Sequence, residues 1–462
     1  AKGLDTTYPM AYWTLQQMFI QRCKGDLRSG LSSLVLQNEA YLTKIFKEHK
    51  AQMEEMLRNP EAELKVPARP YPETLTLKDG FYHDANGPVF LWGPCLFWWM
   101  KGDQHYSWKL GYNSAGPELP VHNEKDHPAI AAYLENFRTN GMLVNAAIGS
   151  ATFDELKKEH PDVANVDRNN FLSIIVQHPR VREEIKKRIQ NDINFYKQFP
   201  AVRSYWLWNE PDYVNFSEMT RLDFIKWLRP KYGKIEELNA RWKTDYAAFD
   251  DVQIARGLDG DNHAPWVDYQ VFLNEELLYD FFSFLNDTAK ATDSTRPTHT
   301  KYMCISAAFF NMEKLLSIND MAGHDGNSGP RDIIYVDLSR SLYPDKALCN
   351  TEIHIWYKDY FLVSLVPWRL ALHGMADANW WCWHANHRFS NTVGSSESMH
   401  ALSIPALDIR RLYNPYVHAV ATKKNRVATL FQDVVAGRSW GLVDILRYQI
   451  APAQYSIGVQ PF

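Results

Sequence analysis

Two stretches of the chain run through buried-looking residues and stop at a glutamate. Val202-Arg203-Ser204-Tyr205-Trp206-Leu207-Trp208-Asn209 leads into Glu210, and Ala347-Leu348-Cys349-Asn350-Thr351 leads into Glu352. Pro211 cannot donate to a β-ladder, so the first strand must end just before it. Two glutamates at strand ends have a definite chemistry. Hydrolysis of a glycosidic bond with retention needs two carboxyl groups about 5 Å apart. One attacks the anomeric carbon, and the other protonates the leaving oxygen and then takes a proton from water. The two must hold different protonation states at one pH, which their surroundings have to arrange. On this reading Glu352 is the nucleophile and Glu210 the acid/base. Asn209 is placed to hydrogen-bond the sugar 2-hydroxyl. Either glutamate alone reads equally well as a strand-end salt bridge, so the pair carries the argument.

The elements that would hold such a pair recur along the chain. Buried strands are predicted at Pro88 to Gly93, Gly111 to Ala115 (closed by Gly116-Pro117) and Met142 to Ile148, with the fourth at Val202 to Trp208. Others follow at His299 to Ile305, Asp320 to His324 (before an Asp325-Gly326 turn), Ala347 to Thr351 and Ala378 to Trp383. Helical patterns lie between them. Pro179 suits a first helical turn, and Val181, Ile185, Ile189, Ile193 and Tyr196 make one apolar stripe up to Phe199. Strands alternating with helices in this number predict an α/β fold, a (β/α)8 TIM barrel. Both glutamates then sit at carboxyl ends of strands four and seven, in one mouth.

The remainder divides into a helical N-terminal extension over residues 1–74, the barrel over 75–415, and the start of a truncated or small C-terminal domain over 416–462. The extension carries apolar residues near helical spacing from Leu34 to Leu57, and Pro67, Pro70 and Pro72 form a stiff connector. Arg426 to Phe431 reads as a fresh strand.

Composition narrows the function classes. The chain has 462 residues, 45% of them hydrophobic and 14% aromatic, with 16 Trp. That suits a large core and flat stacking surfaces for sugars. The net charge of −4 and the lack of Lys/Arg blocks argue against nucleic acid. No apolar run reaches transmembrane length, which argues against a membrane partner, and no signal-peptide pattern is present, so cytoplasmic and exported placements both stay open. Cys23, Cys95, Cys304, Cys349 and Cys382 have no metal-ligand spacing. His384 and His387 are close in sequence but lack a convincing third ligand, so neither a metal nor another cofactor is expected.

Several motifs resemble known enzymes. Asn209-Glu210-Pro211 and Thr351-Glu352 resemble the strand ends of clan A glycoside hydrolases, which are retaining (β/α)8 enzymes. Leu238-Asn239-Ala240-Arg241-Trp242-Lys243-Thr244, Leu338-Ser339-Arg340-Ser341-Leu342, His373-Gly374-Met375-Ala376-Asp377 and Gly394-Ser395-Ser396-Glu397-Ser398-Met399-His400 resemble, in that order, segments of family 42, the β-galactosidases. The resemblance spans roughly residues 75 to 435. It implies a β-galactoside or oligosaccharide substrate, a homo-oligomer as the assembly to look for, and terminal-sugar binding by Glu397 and His400. It also implies that Trp383 stacks on the sugar's apolar face. The chain departs from the family at Tyr246-Ala247, where a tryptophan is usual, and at Trp383-His384, where Trp-Arg is usual. It carries Pro211 after Glu210 and lacks the family's cysteine zinc cluster. These departures point to galactan fragments of the agar or carrageenan type as alternative substrates. A non-catalytic carbohydrate-binding barrel is the alternative of another class, though binding alone does not need two facing carboxylates.

Weaker candidates surround the pair. His324-Asp325 is predicted to bind substrate hydroxyls, with a structural role equally open. His354 and Trp356 follow Glu352 and are expected to line a subsite. Trp206 and Trp208 share Glu210's side by period-two counting and are expected to fill barrel layers, while Trp380 packs outside.

Overall fold

The computed structural model describes residues 6–59, 75–97, 104–149, 153–167, 169–257, 262–303, 311–327, 333–355, 359–383 and 395–422. The chain opens with helices α1 (Thr7–Arg28) and α2 (Ser32–Arg58), followed by a hairpin layer of β1 (Thr76–Lys78), β2 (Phe81–Asp84) and β3 (Gly87–Val89). The barrel begins at β4 (Leu91–Phe97) and continues through β5 (Ser114–Glu118), α3 (His127–Thr139), β6 (Leu143–Ala147), α4 (Asp154–Glu159), β7 (Asn169–Asn170), α5 (Pro179–Tyr196) and β8 (Val202–Asn209). Next come β9 (Asp212–Tyr213), α6 (Glu218–Tyr232), α7 (Ile235–Trp242), α8 (Ala264–Phe272), α9 (Leu278–Thr292), β10 (Thr298–Met303), α10 (Met312–Ile318), β11 (Met321–Asn327) and α11 (Ile333–Leu342). The described chain ends with β12 (Ala347–His354), α12 (Tyr360–Leu372), β13 (Met375–Trp381), α13 (Ser396–Leu412) and α14 (His418–Ala421).

The parallel strands close in the order β10-β11-β12-β13-β4-β5-β6-β8. This is the predicted (β/α)8 barrel. Helix α5 shows how sequence produces the layer. His178 accepts at Nδ1 from the Arg180 amide at 3.2 Å, Pro179 sets the first turn, and Val181, Ile185, Ile189 and Ile193 are fully buried against the sheet. The chain then turns directly into β8, whose residues Val202 to Trp208 are all buried.

The interior is partly polar. Arg203 pairs with Asp377 across the barrel and donates to Ser114 at 2.9 Å, while Asn145 meets His299 at 2.8 Å. Close strand approach leaves no room at Gly93, where a Cβ would fall 1.7 Å from the Ser114 carbonyl. Beneath the barrel, Tyr82 of the hairpin bonds the Met321 sulfur at 3.1 Å and packs with Leu91, Leu143, Ala347 and Cys349, plugging the end opposite the glutamates. Helix α1 lies on α2, and both pack on α13. No helix among the described residues is long and apolar enough to cross a membrane.

The boundaries differ from expectation in informative ways. The first barrel strand is Leu91–Phe97, because Gly87–Val89 belongs to the hairpin. The second runs through Gly116-Pro117 to Glu118 instead of stopping before them. Proline fixes φ near the extended region, and parallel pairing of Leu96 with Pro117 tolerates its missing N–H here. The sixth likewise runs through Asp325-Gly326. The eighth begins earlier and ends at Trp381, leaving Trp383 beyond the strand. The segment expected to open a further strand, Arg426 to Phe431, and the Pro67–Pro72 connector lie outside the described residues.

Candidate active site

Glu210 follows directly on β8 at a φ of 36°, in the left-handed region that a non-glycine residue rarely adopts. Glu352 stands on β12 and is 5% exposed. Between their strands lie β10 and β11, and each adds a charged side chain. Lys301 on β10 is fully buried, donates a short hydrogen bond to Glu352 Oε2, and donates to Asn209 Oδ1 at 2.5 Å. Its ammonium is 3.8 Å from Asp325 Oδ2 and 4.0 Å from the centre of the Trp206 ring. Asp325 on β11 is hydrogen-bonded to Glu210. His354 Nε2 approaches Glu352 Oε1 at 3.5 Å, and the Glu352 amide donates to Asn350 Oδ1 at 3.1 Å. One ammonium and one aspartate thus connect the two predicted glutamates.

The electrostatics divide the carboxyl groups. Burial alone would raise Glu352, but Lys301 and then His354 outweigh it and hold this carboxyl below its ordinary range. Burial also opposes the charge on Lys301, yet Glu352 and Asp325 override it and raise its affinity for the proton. Asp325 is driven well above the usual carboxylate range, first by burial and then by the Glu352 charge, with Lys301 only partly compensating. Glu118, at the end of β5, is pushed up to about 6 by burial, partly offset by Lys301 and reinforced by Glu352 and Glu210. A single ammonium cannot neutralise four clustered carboxyls, so Asp325 is the group driven toward its protonated form and Glu352 the one held toward its charged form. Asp325 and Glu210 share a hydrogen bond at the centre of this cluster.

This assignment has a thermal signature. A carboxyl whose folded pKa is raised gives stability that is present below its unfolded value and declines as pH rises toward the folded value. Asp325→Asn removes that decline while keeping the shape. We expect its melting temperature to exceed that of the parent by a few degrees at pH 7, with the gap closing near pH 4. Calorimetry across that range checks it, and a gap that widens on acidification would exclude a neutral Asp325.

The other predicted residues are distributed unevenly. Asn209 sits at the pair, half-buried, bonded to Lys301. His324 pairs in register with Tyr302, whose ring packs on Phe282 of α9, so that strand face looks toward the helices while Asp325 looks inward. Burial lowers the His324 imidazole to about 4. Trp383 is 2% exposed and packs with Trp380 (centroids 6.0 Å apart) and Tyr112, whose hydroxyl contacts Ser403 of α13. Trp380 is in that outer layer too, as predicted. Half-buried Trp381 instead has its ring 5.7 Å from that of His354, beside Glu352. Glu397 and His400 lie on the first turns of α13, where Gln37 meets Glu397 at 3.4 Å and Tyr41 meets His400 at 2.7 Å. Their described contacts are with the N-terminal helices. Trp356 lies outside the described residues. Trp206 fills the interior beneath Lys301, while Trp208 packs on Phe153 and Phe281.

Sequence reading missed Lys301 and Glu118. A lysine in the midst of Thr298-His299-Thr300-Lys301-Tyr302 was the available signal, since lysine is almost never fully buried unless paired. Ligand atoms of Asp325, Glu352 and His354 lie within 4.8 Å of one another, a spacing that could hold a metal ion. Lys301 already supplies the positive charge between two of those groups, which disfavours a cation there.

The profile of the Glyco_hydro_42 family, described as beta-galactosidase, matches residues 106–332. The beta-galactosidase BgaB of Geobacillus sp. is 27% identical over 165 residues, covering 32% of this chain and 23% of that protein. The beta-galactosidase LacZ of Heyndrickxia coagulans is 23% identical over 365 residues, covering 70% of this chain and 53% of that protein. The chain therefore spans between about a quarter and about half of the length of these curated relatives. Among solved structures, the exo-carrageenase GH42 of Bacteroides ovatus superposes with a TM-score of 0.76 at 17% identity, over 95% of this chain and 70% of that one. The beta-galactosidase Gan42B gives a TM-score of 0.62 at 16% identity, over 75% of this chain and 59% of that one.

Proposed function

We propose that this barrel, a clan A glycoside hydrolase close to family 42, cleaves terminal β-linked galactosides with retention of configuration. The observation that carries the reading is the pairing across the mouth: Glu352 against the Lys301 ammonium, which holds its carboxyl low, and Glu210 hydrogen-bonded to Asp325. Ionised Glu352 attacks the anomeric carbon as Glu210 delivers a proton to the departing oxygen, giving a glycosyl ester on Glu352 and the free aglycone alcohol. Glu210, now a carboxylate, takes a proton from water. The resulting hydroxide oxygen bonds the anomeric carbon, and the ester bond to Glu352 breaks. Asn209, fixed by Lys301, is positioned for the sugar 2-hydroxyl. The stacking role expected of Trp383 fits Trp381 better, because Trp381 is the half-buried ring beside His354 and Glu352.

Glu210→Ala is expected to lose about 10²- to 10⁴-fold on glycosides with poor leaving groups and far less on activated aryl glycosides. Azide should restore turnover of the latter and yield the β-glycosyl azide, read by mass. NMR of the first-formed sugar from the parent enzyme should show the β-anomer. An inverted product sinks the two-step reading, and sugar affinity without turnover on any aryl glycoside would favour a binding barrel.

Galactan fragments form the second substrate reading. The exo-carrageenase superposition extends over 95% of this chain, which supports it. A panel of aryl β-glycosides and agar or carrageenan oligosaccharides, with products read by mass, separates the two.

A further inference from the structure

We propose that Phe171 forms an aromatic platform for the leaving-group sugar, on the far side of the scissile bond from Glu352. The inference rests on the glycosidase reading above. Phe171 lies in the segment leading from the carboxyl end of β6 to α5, on the face of the barrel that holds the glutamates. It adopts a φ of 55° and leaves 60% of its surface exposed. Both features are unfavourable. A bulky residue in the left-handed region is strained, and an exposed aromatic ring gains nothing from the core. Such strain persists only where the surroundings impose it, and it concentrates at ligand sites.

The surroundings here are the acid/base strand itself. Trp208 Nε1, two residues before Glu210, donates to the Phe171 carbonyl at 3.0 Å. The preceding residues pair antiparallel with the segment just after Glu210, Asn169 opposite Tyr213 and Asn170 opposite Asp212. Carried one step further, that register sets Phe171 opposite Pro211, the neighbour of Glu210. Opposed Cα atoms in such a ladder are about 5 Å apart. Glu210 itself has a φ of 36°, so a second strained non-glycine residue adjoins the position opposite Phe171. The group that Glu210 protonates is the oxygen of the leaving sugar. A ring registered to the residue after Glu210 and turned to solvent on that face is placed for the apolar C–H face of that sugar, against which a flat aromatic packs. Phe171 touches no reacting atom in this proposal; it selects and orients the leaving group.

Two substrates with the same glycone separate the site from its alternatives. β-Galactobiose has a sugar on the leaving side, and β-galactosyl fluoride has one atom there. Phe171→Ala should lower kcat/KM for the disaccharide at least tenfold while leaving the fluoride within twofold, and Phe171→Trp should restore the disaccharide. Phe171→Gly, which relieves the positive φ, should show the same loss with a melting temperature equal to or above the parent's, so a misfolded alanine variant cannot hide the answer. An unchanged disaccharide-to-fluoride ratio in these variants overturns the proposal, as does a parallel loss on both compounds. A change confined to sedimentation behaviour would instead mark Phe171 as a contact between copies and also overturns it. Parent enzyme that turns over neither these compounds nor the galactan panel overturns the glycosidase reading itself, a result distinct from all of those.

Discussion

Replacing Glu352 with glutamine is expected to lower kcat at least about 10⁴-fold on every substrate, activated aryl glycosides included. The amide has the size of the carboxylate and can still accept from Lys301, but it cannot form the glycosyl ester. A 2-deoxy-2-fluoro galactoside with a good leaving group should therefore add one sugar mass to the parent chain and none to Glu352→Gln. Peptide mapping should place the added mass on Glu352. Folding should survive the change. Lys301 keeps Asn209 and gains Asp325, 3.8 Å away, as its main carboxylate once the competing charge is gone. The proton held by Asp325 then becomes easier to lose, because the Glu352 charge was the second cause of its retention. A Glu352→Gln enzyme retaining more than about 1% of parental kcat would exclude Glu352 as nucleophile.

The barrel was legible because its strands are buried on both faces and appear as short apolar runs, with helices such as α5 striped at 3.6-residue spacing between them. The two glutamates were legible for a related reason: each terminates a run whose burial is obvious. The mouth was harder to read, and the errors share a cause. Gly116-Pro117 and Asp325-Gly326 carry turn chemistry, yet both lie within strands. Near a catalytic mouth, strands continue into residues chosen for close approach and charge, so local propensity gives way to tertiary context. Reading those pairs as stops hid Glu118 and left His324, which faces the helices, and Asp325, which bonds Glu210, undistinguished as one strand-end pair. The same misplacement by two residues at β13 favoured Trp383 over Trp381. The role of Lys301 was hidden for a different reason, although a lysine inside a buried strand was itself a signal. That role depends on Glu352 and Asn209, 51 and 92 residues away, and no local pattern identifies partners that distant.

Lys301→Met tests that cation directly. Methionine fills similar volume without charge, so the strand should keep its packing while Glu352 loses the principal group holding it ionised. The nucleophile must be ionised for attack, and in the parent its pKa is depressed. Activity therefore persists to low pH in the parent and should be lost at higher pH in the variant. We expect the acid limb of kcat/KM to move up by at least one pH unit and its plateau to fall about 10²-fold or more, since Asn209 also loses its anchor. Stability should follow the same linkage. Glu352, with a depressed folded pKa, contributes above its unfolded value of about 4.3 and loses that contribution as pH falls through the folded value. Lys301, with a raised one, contributes below about 10.4 and loses it only as pH rises through its own folded value. The pair therefore stabilises the fold across the whole range between. Stranding one buried charge typically costs about 3–5 kcal/mol. The variant's melting temperature should thus fall most near neutrality and recover relative to the parent below pH 4, where Glu352 can take up a proton. An acid limb that stays in place in Lys301→Met would mean that Lys301 does not set the ionisation of Glu352, whatever the change in melting temperature.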